Sequence, residues 1–359
     1  MIKADNSTKS RISSIELLRI FCMALIILHH YVVHTEFDIE KLNFNVYVLQ
    51  IISMGGKFAC NIFILITGYF MITSKVNYKK IILLIGEMLF YSILFMMIGI
   101  VSGITKFNIK NFIKAIFPIF WGNWFIIFYI MLYMLIPYIN KLIEQLDEIT
   151  FKKLLLTLFI ILSIVPTFTA EAWRFSNIDI FIFMYMLGAY IRLYHDNKLS
   201  IKTKIISIIS IILLFLSPIF IDFISEILHA NKLLSKATYF STQNSFLCIV
   251  ASVSMFLIFK NIELKSNFIN WISSSVLGVY LISDNRTISY WLWNELSPNA
   301  TYLNSNFLIT HVIVKVFFIF VVCTAIDKTR IILFEKHFKN IIYQIFEKLK
   351  VKIKLDSIK

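Results

Sequence analysis

Two ionisable side chains, Arg19 and His30, stand eleven residues apart inside the first long apolar stretch of the chain. Eleven helical steps are three turns plus about 20°, which puts both on one face, ~16 Å apart along the axis. Glu16 and His34 fall within about 60° of the same stripe, whereas His29 is turned away by about 80°. Ionisable groups inside a membrane-length apolar segment are rare and mark function by default. An imidazole can take a proton from a hydroxyl near neutral pH. A guanidinium can hold an anion, and Glu16 can pair with Arg19 at i,i+3. These residues predict a cavity for an anionic ligand with a proton acceptor, His30, toward its far end. A snorkelling arginine with an interfacial histidine pair is the alternative reading of the stripe.

Further candidates sit in other apolar stretches. Lys57 and Asn61 are i,i+4 on one helix face, and a lysine at membrane depth needs a partner or an anionic ligand. The small residues Thr67 and Gly68 suit close helix packing. Trp121 and Trp124 open another stretch and, on physics alone, read as an aromatic belt. Tyr280, Ser283, Asp284 and Arg286 close a later one, either as a solvated Asp–Arg pair or as a substrate-facing cluster. His311 and Lys315, again i,i+4, could line the same cavity. No GxSxG elbow, Walker loop, GxGxxG or HExxH occurs, and no metal-ligand spacing is present, so no metal is expected. Cys22, Cys60, Cys248 and Cys323 lie in apolar segments without a CxxC pair and read as small buried hydrophobes.

The elements that position these groups follow from composition. The chain has 359 residues, is 58% hydrophobic and has a mean hydropathy of +0.78. Apolar runs of this number and length predict an all-α, polytopic integral membrane protein. About ten transmembrane helices are expected, at 14–34, 46–73, 79–103, 121–140, 152–170, 177–195, 202–222, 241–260, 269–292 and 307–327. The stretch 104–120 carries Lys106, Lys110, Lys114 and Pro118 and reads as an extracytoplasmic or re-entrant loop. The first stretch is too long for a cleavable signal peptide and carries Arg19. The formal net charge is +14, and most of the Lys and Arg fall on the side that holds both ends of the chain. That bias puts both termini in the cytoplasm, and it makes the charge a topology signal rather than a mark of nucleic-acid binding. Two regions are expected: a transmembrane region over 1–327 and a basic cytoplasmic tail over 328–359. In the tail, Phe334, Phe338, Ile341, Ile342, Ile345, Phe346 and Leu349 recur at helical spacing among lysines. They predict an amphipathic helix on the anionic inner leaflet; a disordered basic tail is the alternative.

Taken together, the motifs resemble the membrane-bound acyltransferase-3 family, whose members O-acetylate exopolysaccharides, capsules and cell-wall sugars. Its members open with an Arg, ten residues and a His, matched here by Arg19 to His30 in the context Glu16-Leu17-Leu18-Arg19. Phe63 through Thr67-Gly68-Tyr69 is similar to their FFxxSGF/Y-type motif. Trp124-Phe125, Leu132-Tyr133 and Pro137 match another span, and Tyr185 with Gly188 through Arg192 a further one. Gly56-Lys57 with Asn61-Ile62-Phe63 resembles a branch from Gram-positive bacteria. One departure stands out: relatives often read Gly-x-Tyr-Leu-Ile-His where this chain has Gly278-Val279-Tyr280-Leu281-Ile282-Ser283.

The resemblance implies a multi-pass enzyme of the bacterial plasma membrane. Acetyl-CoA would approach the basic cytoplasmic mouth, held by Arg19 and Lys57, with Glu16 orienting Arg19. The pantetheine arm would reach toward His30, which would act as general base or carry the acyl group itself. Asn61, Trp124, Tyr280 and Asp284 would line the cavity. The acceptor would be a surface glycan or lipid-linked oligosaccharide at the outer face, with membrane lipid around the protein. A non-enzymatic polysaccharide exporter or flippase partner is the competing reading. A small-solute transporter is a third, but no pair of broken helices in matching positions supports it.

Overall fold

The computed structural model describes residues 11–169, 177–195, 198–229, 236–340 and 344. Every regular element among them is helical. The main helices are α1 (Ser13–Val33), α2 (Phe44–Ser53), α3 (Gly55–Met71), α4 (Lys79–Val101), α5 (Ile109–Ile116), α6 (Pro118–Trp121), α7 (Trp124–Glu144), α8 (Glu148–Phe159), α9 (Val165–Thr169), α10 (Asn177–Tyr194), α11 (Ile201–Ile227), α12 (Phe246–Lys260), α13 (Asn267–Ser273), α14 (Val276–Ser283) and α15 (Leu308–Arg330). Seven helical stretches are long and apolar enough to cross a membrane, counting α2–α3, α8–α9 and α15 with its extension to Asn340 as one each. The chain is a polytopic membrane protein, and apolar side chains such as Ile208, Leu213, Phe317 and Phe318 cover its outside.

Three expected elements differ from their sequence reading. The stretch 46–73 is two helices that meet at Met54, where the Gly55-Gly56 pair lets the ring of His29 lie against the α3 backbone. The stretch 269–292 is also interrupted. Serines compete with the helix ladder, and at the break between α13 and α14 two of them give their hydroxyls to other partners: Ser273 to Glu16, and Ser274 to Trp271 O at 2.8 Å. The expected loop 104–120 folds into α5 and α6.

The C-terminal segment continues α15 through a π-turn at Ile331–Glu335 to Asn340. It packs on α4 rather than standing apart: the Phe334 ring centre is 5.4 Å from that of Phe90, and Phe338 covers Gly86. Ile341, Ile342, Ile345, Phe346, Leu349 and the last lysines lie outside the described residues. An ion-pair group fixes α15 to α4: Arg330 bridges Glu87 at 3.0 Å and Asp327 at 2.8 Å, and the Tyr91 hydroxyl donates to Asp327 at 2.7 Å. In a medium that cannot solvate charge, such groups must satisfy one another.

Helices α1, α3 and α10 form the tightest part of the bundle. A Cβ added at Gly68 would stand 2.1 Å from the carbonyl oxygen of Tyr185, and one at Gly188 2.2 Å from that of Leu65. The α3 and α10 backbones touch because both positions are glycine. This crossing holds α3 against α1, whose stripe carries Arg19 and His30. Gly188→Val is expected to destabilise the fold by about 1–3 kcal/mol through overpacking. The shift should appear as a lower melting temperature of the detergent-solubilised protein in size-exclusion thermostability assays. An unchanged melting temperature would mean that the crossing tolerates separation.

Candidate active site

His30 lies in the last full turn of α1, and His34 follows it at the C-cap. Asp284 caps the far end of α14. Its carboxylate receives three side chains from two chain segments. His34 Nε2 donates to Oδ1 at 3.0 Å, His30 Nε2 is 3.8 Å from the same oxygen, and Asn123 Nδ2 donates to Oδ2 at 2.7 Å. The His30 and His34 ring centres are 4.8 Å apart, and the Tyr280 ring lies 6.3 Å from His30. His30 is buried, and its Nδ1 has no hydrogen-bond partner among the described residues. Nε2 faces the carboxylate, and Nδ1 is enclosed by the protein. His29 is turned away and donates from Nδ1 to Ser53 O at 2.6 Å.

At the other end of α1, Glu16 Oε1 stands 3.9 Å from Arg19 Nε, and Glu16 Oε2 accepts from the Ser273 hydroxyl. Arg19 Nε has no hydrogen-bond partner among the described residues. A cavity of about 390 Å³ lies between α1, α3, α7 and α14. Arg11, Glu16 and Arg19 line one end, Met23 and Ile26 continue along α1, and Tyr280 and Cys60 lie deeper along α14 and α3. At its basic end it shares Arg11, Arg19, Tyr129 and Leu277 with a wider cavity of about 1030 Å³, which adds Lys80, Arg330, His337 and Lys339. A cation-rich vestibule therefore leads into a narrower, mostly apolar passage that reaches Tyr280, the neighbour of His30.

A family model described as an acyltransferase domain, that of the acyltransferase-3 family, matches residues 12–328. The chain belongs to the acyltransferase-3 family. The matched region runs from the foot of α1 almost to the end of α15, so it contains every residue that lines the passage except Arg11, together with His30 and Asp284. No curated protein and no solved structure matches the chain.

For this acyltransferase the sequence-predicted residues separate into three groups. Glu16, Arg19 and Tyr280 line the passage, and His30 and Asp284 meet beside Tyr280. Lys57 does not stand with Arg19: α3 runs antiparallel to α1, so Gly56 meets His29, and Lys57 sits near the histidine end with Nζ 3.3 Å above the Trp124 ring. Trp124 thus serves as the lysine's aromatic seat. Asn61 is fully buried on the face toward α12, where Nδ2 donates to Gln243 O at 3.0 Å and meets Cys248 Sγ at 3.6 Å. It is a packing residue and not a cavity residue. Asp284 and Arg286 form no pair; Arg286 donates to Gly122 O at 3.3 Å instead.

His311 and Lys315 form a separate polar cluster. His311 bonds Tyr31 and Ser297, each at 2.9 Å, and Lys315 donates to Ser297 O and Asn299 Oδ1, each at 2.7 Å. These bonds tie the 297–302 segment to α1 and α15. Ser283, which stands where relatives often have a histidine, is fully buried with no hydrogen-bond partner for its hydroxyl among the described residues. His34 is the second imidazole at Asp284. Its place on the α1 stripe, i,i+4 from His30, is visible in the sequence, whereas Asn123, 161 residues from Asp284, gives no such signal.

The ligand atoms of His30, His34 and Asp284 all lie within 4.8 Å of one another, a spacing that could also seat a divalent cation. Asp284→Asn keeps the shape but removes the charge that faces both imidazoles. It is expected to lower acyl transfer by about 10²-fold or more with little change in melting temperature. Wild-type activity that survives EDTA would place the carboxylate in proton transfer, and loss that Zn²⁺ restores would place it in metal binding.

Proposed function

We propose that this acyltransferase moves an acetyl group from acetyl-CoA, at the basic end of the passage, to a hydroxyl of a surface or lipid-linked glycan at the His30 end. The observation that carries the reading is the passage itself. It begins at Arg19, runs along α1 and reaches Tyr280 beside His30. Arg19 and His30 stand ~16 Å apart along α1, three helical turns, a distance that a pantetheine arm can span. The bias of Lys and Arg supports an orientation in which Arg19 faces the cytoplasm, where acetyl-CoA is made. His30 then faces the outer side of a bacterial plasma membrane.

In this reading Arg19 binds the anionic donor and Glu16, held by Ser273, keeps its guanidinium at the mouth. The thioester carbonyl comes to rest near Tyr280. His30 accepts the proton of the acceptor hydroxyl as that oxygen attacks the carbonyl carbon. Asp284, 3.8 Å from His30 Nε2, stabilises the imidazolium that forms, and His34 and Asn123 hold the carboxylate in place. The C–S bond breaks and the coenzyme A thiolate takes the proton back from His30. Lys57, seated on Trp124, adds positive potential near the histidine end rather than at the donor mouth.

The test uses membranes that hold the wild type or a variant, labelled acetyl-CoA and the host's surface glycan. His30→Ala is expected to abolish label transfer, and transfer equal to wild type would remove His30 from the chemistry. Acid-quenched protein that carries label on His30 would replace direct transfer by a two-step one. Arg19→Gln is expected to raise the KM for acetyl-CoA about tenfold or more, since a charge-assisted contact contributes ~1.5–3 kcal/mol. An unchanged donor KM would overturn its role. A His30→Ala strain whose glycan stays inside the cell, rather than reaching the surface unacetylated, would favour the exporter reading.

A further inference from the structure

At the His30 end lies another cavity, of about 290 Å³, between the end of α4, the α5–α6 segment and residues 285–287. It is close to the lower limit of the ~300–1,000 Å³ typical of small-molecule sites. Lys106, Lys114 and Arg286 line it, and no acidic side chain does. None of the three cations has an ion-pair partner among the described residues, although Arg286 gives one hydrogen bond to Gly122 O. The polar remainder is rich in amides and hydroxyls, including Asn111, and Trp121 offers an exposed aromatic face. Asn123 belongs to two places at once: it lines this cavity, and its Nδ2 holds the Asp284 carboxylate that faces His30.

We infer that this cavity is the acceptor subsite and that the acceptor is an acidic glycan, one whose sugars carry carboxylate or phosphate groups. The assignment rests on the acyl-transfer reading given above and deepens it. Three cations without neighbouring acids make a local positive potential that favours an anion. Amides and hydroxyls match a polyhydroxylated ligand by hydrogen bonding, and the Trp121 ring can stack on the C–H face of a sugar. A lipid headgroup would need only the cations, and the amide-rich lining would be idle. Asn123 sets the register: a sugar in the cavity abuts the residue that positions Asp284, which brings one of its hydroxyls toward His30. Anion capture in the α5–α6 segment thus selects the acceptor, and the α1 stripe performs the chemistry.

The experiment incubates the full-length protein in membranes with labelled acetyl-CoA and total host surface glycan, and then separates the products by anion exchange. Label in the retained, acidic fraction is expected, and label confined to the unretained, neutral fraction overturns the assignment. Lys114→Gln and Arg286→Gln are expected to raise the acceptor KM at least tenfold and leave the KM for acetyl-CoA unchanged. Lys114→Arg and Arg286→Lys should restore most of the loss, which excludes misfolding as its cause. Variants that label acidic glycan like the wild type overturn the assignment. So does labelling that follows the anionic lipid content of the membrane instead of the acceptor's charge. Absence of label from the wild type in every fraction is a separate result: it overturns the acyl-transfer reading and this assignment with it.

Discussion

The Asp284 carboxylate is the contact on which the site depends. It lies at the end of α14, almost enclosed, and a carboxylate in such a place must be met by donors or cations. The donors come from segments far apart in sequence: His30 and His34 from α1, and Asn123 from the turn before α7. Satisfying one charge therefore fixes the mutual position of three helices. It also fixes which ring nitrogen of His30 faces the carboxylate, leaving Nδ1 without a hydrogen-bond partner among the described residues. The interrupted segment 267–284 meets α1 at both ends, Ser273 against Glu16 and Asp284 against His30.

Electrostatics divide the protein into two ends with different tasks. The Arg19 end gathers Arg11, Arg19, Lys80, Arg330, His337 and Lys339 around a wide vestibule. Part of this charge is neutralised by Glu87 and Glu335, so the open cations are mainly those on α1, its approach and α4. The wall that carries His337 and Lys339 is the extension of α15, which packs on α4 through Phe334 and Phe338. A segment whose composition suggests a membrane-surface helix thus begins as part of the vestibule. At the His30 end the cations of 104–120 and Arg286 border a smaller, amide-rich cavity. The mostly apolar lining of the passage between the ends strengthens each charge near it.

Several elements were legible because their physics is local. Membrane-length apolar runs announce helices wherever they occur, and α1, α4, α7, α11 and α15 lie close to the ranges that the runs mark. The Arg19–His30 stripe is a consequence of helical pitch alone, and so is the Glu16–Arg19 pair. Gly68 and Gly188 are visible as small residues, but that each lies against the backbone of the other's helix depends on α3 and α10 being neighbours. Lys57 and Asn61 show the limit of helical-wheel reasoning. They share a face as i,i+4 partners should, yet one reaches the Trp124 ring and the other Gln243 and Cys248. The wheel gives a direction, and the neighbour that waits there comes from the packing.

By itself, then, the sequence determined that this is a helical, multi-pass membrane protein with a stacked Glu16–Arg19–His30–His34 stripe, because hydrophobicity and helical period act within single segments. Only the tertiary structure decided that Asp284 completes the histidine cluster and that Asn123 holds it. The tertiary structure also set Lys57 apart from Arg19 and made the 104–120 segment the wall of a cationic cavity. The Asp284 contacts join residues 161 and 250 positions apart. In an apolar medium such contacts are chosen by the need of each buried charge for a partner, and no local pattern records which partner it finds.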